Sequence, residues 1–250
     1  MIESTSTSPL AGRVAVITGG GRGIGRAIAS TLAEAGADVC VVSRTAAQID
    51  EVAKEIEAMG RRSVAVSADV TDRDQVETLA AKVRADWGRI DVLVNNAGGG
   101  ADRAAVVDSD IDRWMRVVEL NLVSTYLVTR ALLPLMIESA GGKIINIGSA
   151  LGHSPHSGAY SVAKAGLWMF TRQLATEVWS DGVAVNELIP GPVLTDATRD
   201  RFTLGEAPSF APSERVKSPE EVGPLALWLA TQPEGGPTGQ SFSLGRRPLA

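Results

Sequence analysis

Short apolar runs alternate along the chain with longer segments of mixed apolar and polar residues. Seven of the short runs are predicted as strands, and most of them are apolar throughout. This pattern is typical of parallel strands that are covered by helices on both faces. The predicted strands are Val14–Thr18, Val39–Ser43, Ser63–Ser67, Val92–Asn95, Lys143–Ile147, Val183–Leu188 and Ser241–Leu244.

The longer segments carry the features of helices. Gly36 and Gly60 follow two of them at the position that favours glycine after a helix, and Asp72 and Ser218 precede two others as N-cap residues. The predicted helices are Ile24–Ala35, Ala46–Met59, Arg73–Trp87, Asp110–Ser139, Ala159–Trp179 and Pro219–Ala230.

The regular alternation of strands and helices predicts an α/β fold. We expect a single-domain, Rossmann-like, doubly wound sheet of seven parallel strands with helices on both faces. Residues 13–250 are assigned to this one domain, and residues 1–12 are expected to form a flexible N-terminal tail.

Composition narrows the class of protein. The chain has 250 residues, of which 44% are apolar and 21% charged, and its net charge of −5 does not favour binding to nucleic acid or to an anionic membrane. We expect no apolar stretch long enough to span a bilayer and no secretory signal, so a cytoplasmic protein is predicted. The single cysteine, Cys40, lies in an apolar run and is interpreted as a buried hydrophobic residue.

A glycine-rich turn follows the first predicted strand and reads Thr18-Gly19-Gly20-Gly21-Arg22-Gly23-Ile24-Gly25. In an open α/β sheet, ligands bind beyond the carboxyl ends of the strands. The free N–H groups and the dipole at the start of the next helix attract a diphosphate. Such a turn by itself can serve only to bend the chain. With a strand before it and a helix after it, it predicts a dinucleotide-binding site.

The end of the second predicted strand indicates which dinucleotide. A carboxylate at this position would bind the ribose 2′-hydroxyl of NAD. The chain has Ser43 and Arg44 instead, and Arg22 lies in the glycine-rich turn. Two guanidinium groups and a hydroxyl suit a 2′-phosphate, so NADP(H) is favoured over NAD(H). In the alternative interpretation, Arg44 is only a solvated charge at the start of a helix.

Tyr160 and Lys164 lie four residues apart in a predicted helix, so their side chains share one face. The adjacent ammonium group is expected to lower the pKa of the phenol. Such a phenol suits a group that gives a proton to a carbonyl oxygen or takes it from an alcohol. A surface pair without a role is the alternative. The preceding predicted strand, which leads into Ile147-Gly148-Ser149, favours the catalytic interpretation.

Taken together, these motifs resemble those of the short-chain dehydrogenases/reductases, in their single-domain branch, and in particular the 3-oxoacyl-ACP reductase-like members. The resemblance extends from Arg13 to Gly245. Further motifs that carry it are Asp69-Val70, Asn95-Asn96-Ala97-Gly98, Asn121, Ser149, Tyr160-Ser161-Val162-Ala163-Lys164 and Pro190-Gly191-Pro192-Val193-Leu194-Thr195.

The resemblance implies a role for each of these motifs. Ser149 would orient the substrate oxygen, and Asn121 would hold a water that links Lys164 to solvent. Asp69 would accept from the adenine amino group, and Val193 and Thr195 would bind the carboxamide. The implied catalytic residues are Asn121, Ser149, Tyr160 and Lys164. The implied cofactor-binding residues are Gly19, Arg22, Gly23, Ile24, Gly25, Ser43, Arg44, Asp69, Val70, Asn96, Ala97, Gly98, Tyr160, Lys164, Pro190, Gly191, Val193 and Thr195.

The chain departs from the usual family pattern in two places. The segment from Ser149 to Tyr160 is about two residues shorter than usual, so either a tighter loop keeps Ser149 in the site or Ser154 or Ser157 replaces it. Both histidines fall in this segment, and no metal site is expected there. At the C-terminus, Arg246-Arg247 is interpreted as solvent-exposed, with attraction of an anionic substrate or pairing across an interface as alternatives.

The predicted function is an NADP(H)-dependent oxidoreductase that interconverts a carbonyl and a secondary alcohol, with hydride from nicotinamide and a proton from Tyr160. The alternatives are an NAD-linked alcohol or polyol dehydrogenase and a non-catalytic NADP(H) sensor. The irregular segment Asp196–Lys217 is a candidate lid. The resemblance implies a homotetramer, in which Trp114, Trp168 and Trp179 are candidate anchors unless they are buried in the monomer core.

Overall fold

Seven parallel strands form one sheet in the order β3-β2-β1-β4-β5-β6-β7. The computed structural model describes residues 8–100, 104–153, 158–209 and 211–245. The strand order reverses between β1 and β4, which opens a crevice at the carboxyl ends of these strands. The strands are β1 (Val14–Thr18), β2 (Asp38–Ser43), β3 (Ser63–Ser67), β4 (Val92–Asn95), β5 (Gly142–Ile147), β6 (Val183–Ile189) and β7 (Ser241–Ser243).

Helices cover both faces of the sheet, so the predicted fold class is confirmed. Every predicted strand is found, with each end within one residue of its expected position. The helices are α1 (Gly23–Glu34), α2 (Ala46–Ala58), α3 (Arg73–Trp87), α4 (Ile111–Val118), α5 (Ser124–Glu138), α6 (Gly158–Val178) and α7 (Gly223–Ala230), and short 3₁₀ turns cover Val106–Asp108, Ala150–His153, Trp179–Asp181 and Pro219–Val222.

The helix ends follow the chemistry expected from the sequence. Asp72 is the N-cap of α3, and its carboxylate accepts from the N–H groups of Asp74 and Gln75. Ser218 precedes the 3₁₀ turn that leads into α7, and its N–H donates to the Glu221 carboxylate at 2.9 Å. Gly36 and Gly60 have φ angles of 103° and 76°, so glycine suits both positions.

One predicted helix is wrong as a continuous element. Asp110–Ser139 is divided by a π turn (Glu119–Val123) between α4 and α5. Asn121 lies fully buried in this turn, and its Nδ2 donates to the carbonyl oxygens of Val117 and Gly99, each at 2.8 Å. The amide side chain thus satisfies a backbone carbonyl of the widened turn, which ordinary helical bonding would not reach.

The run Ile111–Glu138 meets the length and hydropathy of a membrane-spanning helix, contrary to our expectation from the sequence. Its mean hydropathy reaches 1.5, and 44% of that window is buried inside the fold. Val128, Leu132 and Leu135 on α5 are among the residues buried in the core. Their apolar character therefore matches that of a helix in a protein core.

The core consists of two clusters, one on each face of the sheet. One cluster includes Ile28 and Leu32 of α1, and the other includes Leu79 of α3 and Leu174 of α6. Cys40 is buried in the second cluster, and burial raises the pKa of its thiol to about 12. The interpretation of Cys40 as a buried hydrophobic residue is confirmed.

Part of the predicted N-terminal tail is packed against the domain. Leu10 is 3% exposed, and its N–H donates to the carbonyl oxygen of Ala35 at 2.9 Å. The expectation of flexibility for the whole of residues 1–12 is therefore wrong at Leu10, because this apolar side chain joins the core beside α1. Residues 1–7 lie outside the described residues.

Candidate active site

A cleft of ≈ 980 Å³ is lined by residues that follow the carboxyl ends of β1 to β6. Almost all of the predicted site residues line it, and the exceptions are Gly25 and Asn121. Those that line it are Gly19, Arg22, Gly23, Ile24, Ser43, Arg44, Asp69, Val70, Asn96, Ala97, Gly98, Ser149, Tyr160, Lys164, Pro190, Gly191, Val193 and Thr195.

The glycine-rich turn forms a cradle whose shape depends on the absence of side chains. Gly19 and Gly23 have φ angles of 63° and 53°, which favour glycine. A Cβ on Gly25 would lie 2.3 Å from the carbonyl oxygen of Gly19, so Gly25 lets α1 start directly against the turn. The start of α1 at Gly23 therefore faces the cleft with its free N–H groups, as a diphosphate site requires.

Substitution Gly25→Ala is expected to lower both the free energy of unfolding and the affinity for a dinucleotide. The new methyl group would meet the Gly19 carbonyl oxygen and Asn96 Nδ2 at 2.3 and 2.5 Å, so the turn must move. We expect a loss of about 2 kcal/mol in urea unfolding. Gly235→Ala is the control, because a Cβ there meets nothing within 4 Å. Equal effects of the two substitutions would contradict this role of Gly25.

The turn is held to the neighbouring strand by side-chain hydrogen bonds across the crevice. Asn96 Nδ2 donates to the carbonyl oxygens of Thr18 and Gly19 at 3.0 and 3.1 Å. In return, Thr18 Oγ1 accepts from the N–H groups of Asn96 and Ala97 at 3.0 and 3.1 Å. These bonds tie the ends of β1 and β4 together at the point where the strand order reverses.

Two arginines at one end of the cleft are paired with carboxylates. Arg44 lies 3.6 Å from Asp69, and Arg22 lies 3.4 Å from Asp196. Partial burial acts to raise the pKa of Asp69, but hydrogen bonds from Thr71 and the charge of Arg44 outweigh it and hold the pKa below its usual value. Asp69 is therefore an ionised acceptor, and both guanidinium groups are exposed for most of their surface.

Ser149, Tyr160 and Lys164 come together at the other end of the cleft. The Ser149 hydroxyl is close enough to the Tyr160 phenol to act on its pKa, and Lys164 Nζ lies 5.8 Å from the centre of the Tyr160 ring. Lys164 is buried, and its Nζ donates to the carbonyl oxygen of Ile147 at 2.7 Å. The shortened segment before Tyr160 thus still leaves Ser149 beside the phenol. Ser154 and Ser157 lie outside the described residues.

Burial decides whether the pKa rises or falls for both Tyr160 and Lys164. It raises the pKa of the Tyr160 phenol, and the Ser149 hydroxyl and the charge of Arg201 oppose it only in part. The expected net lowering of this pKa is therefore wrong, because desolvation of the phenolate outweighs the nearby positive charges. Burial lowers the pKa of Lys164 to about 8. At neutral pH, Tyr160 is protonated and Lys164 is mainly an ammonium ion.

Asn121 lies behind the cleft wall and not on it. Its Oδ1 accepts from the N–H of Gly99 at 3.0 Å. A Cβ on Gly98 would lie 2.9 Å from this oxygen and 3.6 Å from Lys164 Nζ, so the amide and the ammonium group flank the same glycine. Asn121 and Lys164 therefore lie close together, with Gly98 between them. The side-chain amide of Asn121 forms hydrogen bonds with the backbone of Gly99.

The segment after β6 forms the wall beside Ser149, Tyr160 and Lys164. Gly191 has a φ of 70°, and the Thr198 hydroxyl donates to the Val193 carbonyl oxygen at 2.7 Å. The N–H of Val193 has no hydrogen-bond partner among the described residues, and Val193 lines the cleft. Thr195 Oγ1 lies 3.1 Å from Thr198 Oγ1. This wall offers a carboxamide one backbone donor and one hydroxyl.

The candidate lid lines the cleft without regular helices in its described part. Arg201 and Phe202 lie on the cleft wall, and Val193 pairs with Lys217 in an isolated parallel bridge. Glu214, buried beside Lys217 at 4.0 Å, also lines the cleft and was not predicted from the sequence. An acidic residue in an irregular segment offers no pattern that would have identified it. Phe210, Arg246 and Arg247 lie outside the described residues.

Sequence reasoning also missed Glu187, which lies against Gly148, next to Ser149. This carboxylate is fully buried in β6, and its charge acts to raise the pKa of Lys164. The signal was an acidic residue inside the run Val183–Ile189, whose other residues are all uncharged.

Known proteins resemble this chain over nearly its whole length. Residues 13–204 match the model of the short chain dehydrogenase family. The 3-oxoacyl-[acyl-carrier-protein] reductase of Synechocystis sp. is 39% identical over 241 residues, which cover 94% of this chain and 96% of that protein.

Solved structures agree with the sequence relatives. L-Sorbose reductase from Gluconobacter frateurii, complexed with NADPH and L-sorbose, superposes with a TM-score of 0.85 at 30% identity, covering 95% of this chain and 97% of that one. RhlG from Pseudomonas aeruginosa, in an NADP active-site complex, gives a TM-score of 0.84 at 33% identity, covering 95% and 96%. The chain belongs to the short-chain dehydrogenase family and is an oxidoreductase that acts on CH–OH and C=O groups.

Proposed function

We propose that this oxidoreductase uses NADP(H) to interconvert a small carbonyl compound and a secondary alcohol, with Tyr160 as the proton donor and acceptor. One observation carries the proposal. Ser149, Tyr160 and Lys164 share a single cleft with the glycine cradle at the start of α1, and Lys164 Nζ lies 5.8 Å from the centre of the Tyr160 ring.

The cleft has the groups that a nicotinamide dinucleotide needs. Gly19 and Gly23, which line the cleft beside the start of α1, would hold the diphosphate through backbone N–H groups, and Gly25 lets α1 begin close against the turn. The N–H of Val193 and the hydroxyl of Thr195 would hold the carboxamide. The Asp69 carboxylate would accept from the adenine amino group, with Val70 beside it. When bound, the nicotinamide supplies or accepts the hydride.

The chain's own residues handle the proton. The raised pKa of Tyr160 keeps its phenol protonated near neutral pH, so it can donate to the oxygen of a carbonyl substrate. Ser149 would hold the same oxygen and fix its distance from the phenol. The Lys164 ammonium would hold the nicotinamide ribose and favour the phenolate left after proton transfer. Asn121 would hold the water that returns a proton through Lys164.

The preference for NADP(H) rests on Ser43, Arg44 and Arg22. Both guanidinium groups are exposed at the cleft and can exchange a carboxylate partner for a 2′-phosphate. The two relatives solved with NADPH or NADP support this choice. An NAD-linked dehydrogenase is the alternative, in which Arg44 stays with Asp69. A non-catalytic sensor is disfavoured, because Tyr160 and Lys164 are both in place.

Titration of the purified protein with NADPH and with NADH, followed by nicotinamide fluorescence, tests this proposal. We expect NADPH to bind more tightly by at least about tenfold and to be oxidised in the presence of small ketones or 3-oxoacyl thioesters. Tighter binding of NADH would select the NAD-linked alternative. Binding without oxidation of NADPH by any carbonyl compound would favour the sensor.

We also propose that the chain acts as a cytoplasmic homotetramer. Met115, Tyr126 and Met169 expose 46%, 48% and 53% of their surface on α4, α5 and α6, which is apolar area suited to a subunit interface. Trp179 is 70% exposed, so burial in the monomer core does not account for it. Light scattering coupled to size exclusion should give four times the chain mass of 26.1 kDa. A monomeric mass would contradict the assembly and leave the chemistry unaffected.

A further inference from the structure

Glu187 is a carboxylate with no solvent exposure in the middle of β6. The Ser241 hydroxyl on β7 donates to its Oε2 at 2.5 Å. An ionised carboxylate in the interior is costly unless opposite charges and hydrogen bonds compensate it. The reaction proposed above does not use this group, so its presence beneath the active site calls for a separate explanation.

Glu187 lies directly behind the backbone that holds the catalytic trio. A Cβ on Gly148 would lie 1.8 Å from Glu187 Oε1, so only glycine fits over the carboxylate. Gly148 is the link between Ile147, whose carbonyl oxygen accepts from Lys164 Nζ at 2.7 Å, and Ser149, which lines the cleft together with Tyr160. The carboxylate thus backs the strand end that positions both Lys164 and Ser149.

Few charged groups act on Lys164. Burial lowers its pKa to about 8, and the carboxylate of Glu187, from β6, is the group among the described residues whose charge opposes this effect. From α6, the titratable neighbour is Tyr160, on which the charge of Arg201 acts from the lid. From the π turn, the neighbour is the uncharged Asn121.

We propose that Glu187 is a positioning residue that keeps Lys164 in its ammonium form in the working enzyme, so that Lys164 can bind the ribose of the cofactor. Glu187 touches neither substrate nor cofactor in this account and acts only through Lys164. The inference rests on the proposed function, because it assigns Lys164 the ribose. The inference adds that the affinity of Lys164 for the cofactor ribose depends on the Glu187 carboxylate, which lies on the opposite side of the Gly148 backbone.

Substitution Glu187→Gln separates charge from shape. Glutamine has the same size and can still accept from Ser241, but it leaves Lys164 without its nearby anion. The ammonium ion should then lose its proton at a pH lower by about one unit or more. Glu138→Gln is the matched control, because it makes the same change at an exposed carboxylate that pairs with Arg84 and does not line the cleft.

The affinity for NADPH across about pH 7 to about pH 10 tests the proposal by fluorescence titration. The measurement is made with Tyr160→Phe, so that no phenol titrates at the site, and repeated with Glu187→Gln or Glu138→Gln added. We expect the pH at which affinity falls to move down by about one unit with Glu187→Gln and to stay in place with Glu138→Gln. If Glu187→Gln does not fold, as judged by circular dichroism, Glu187→Ala removes the same charge and should give the same shift.

Three outcomes overturn the inference and are distinguishable. If the curves with and without Glu187→Gln coincide, Glu187 has only a structural role and the proposed function stands. If Glu138→Gln shifts the curve as far as Glu187→Gln does, the shift comes from the net charge of the protein, and the inference fails while the proposed function stands. If the unaltered protein binds neither NADPH nor NADH at any pH, the proposed function fails and the inference fails with it.

Discussion

Replacing Tyr160 by phenylalanine is expected to lower kcat by about three orders of magnitude and to leave the affinity for NADPH within about twofold. The phenol lines the cleft, and its raised pKa keeps it protonated near neutral pH. Phenylalanine keeps the ring and its packing beside Lys164 but has no proton to give. Steady-state reduction of a ketone and fluorescence titration with NADPH measure the two quantities.

The chain provides its own control for this substitution. Its other tyrosine, Tyr126, is 48% exposed on α5 and does not line the cleft. Tyr126→Phe should leave kcat unchanged. Turnover of Tyr160→Phe within about tenfold of the unaltered enzyme would rule out the phenol as the proton donor, and a comparable loss in Tyr126→Phe would point to a general effect on folding.

The second large effect is expected from charge reversal at Arg44. Arg44→Asp removes a guanidinium group from the cleft and places a carboxylate near Asp69, which lies 3.6 Å from the Arg44 side chain. A 2′-phosphate then meets two negative groups, so the affinity for NADPH should fall about 100-fold, equivalent to about 2.7 kcal/mol. The affinity for NADH should change by less than about tenfold, because NADH has no phosphate at this position.

Arg73→Asp is the matched control for this charge reversal. Arg73 is exposed at the start of α3 and does not line the cleft, so its reversal changes the net charge equally without altering the site. Fluorescence titrations of both variants with NADPH and NADH give the comparison. A fall in NADPH affinity that is the same for Arg44→Asp and Arg73→Asp would attribute the effect to overall charge and would remove the argument for NADP(H).

Much of the fold was predictable because the strands are buried on both faces. A run such as Val14–Thr18 has no polar face, so its limits coincide with the change from apolar to polar residues. The alternation with helices then leaves few arrangements of a parallel sheet. The glycine-rich turn was equally readable, since its function depends on the absence of side chains at Gly19 and Gly25.

What the sequence did not reveal depends on contacts between distant segments. Glu187 meets Ser241 and Gly148 only after β5, β6 and β7 lie side by side. The pKa of Tyr160 depends on how far the folded chain excludes water from the phenol. The spacing between Tyr160 and Lys164 in the sequence gives no information about this burial. The sequence also did not show whether the short segment between Ser149 and Tyr160 would leave Ser149 in the cleft, and the structure places it there.

The π turn at Asn121 gives the α4–α5 run one residue that its core does not need. The turn contains one residue more than an ordinary helical turn would need. Deleting that residue would restore regular helical bonding and leave the direction of the following side chains nearly unchanged, because five residues of a π turn sweep about the same angle as four residues of an α-helix. Leu132 and Leu135, which are now buried, would still face the sheet. The deletion would instead remove the widened turn in which Asn121 bonds the carbonyl oxygens of Val117 and Gly99, so the extra residue serves the backbone beside the cleft and not the core.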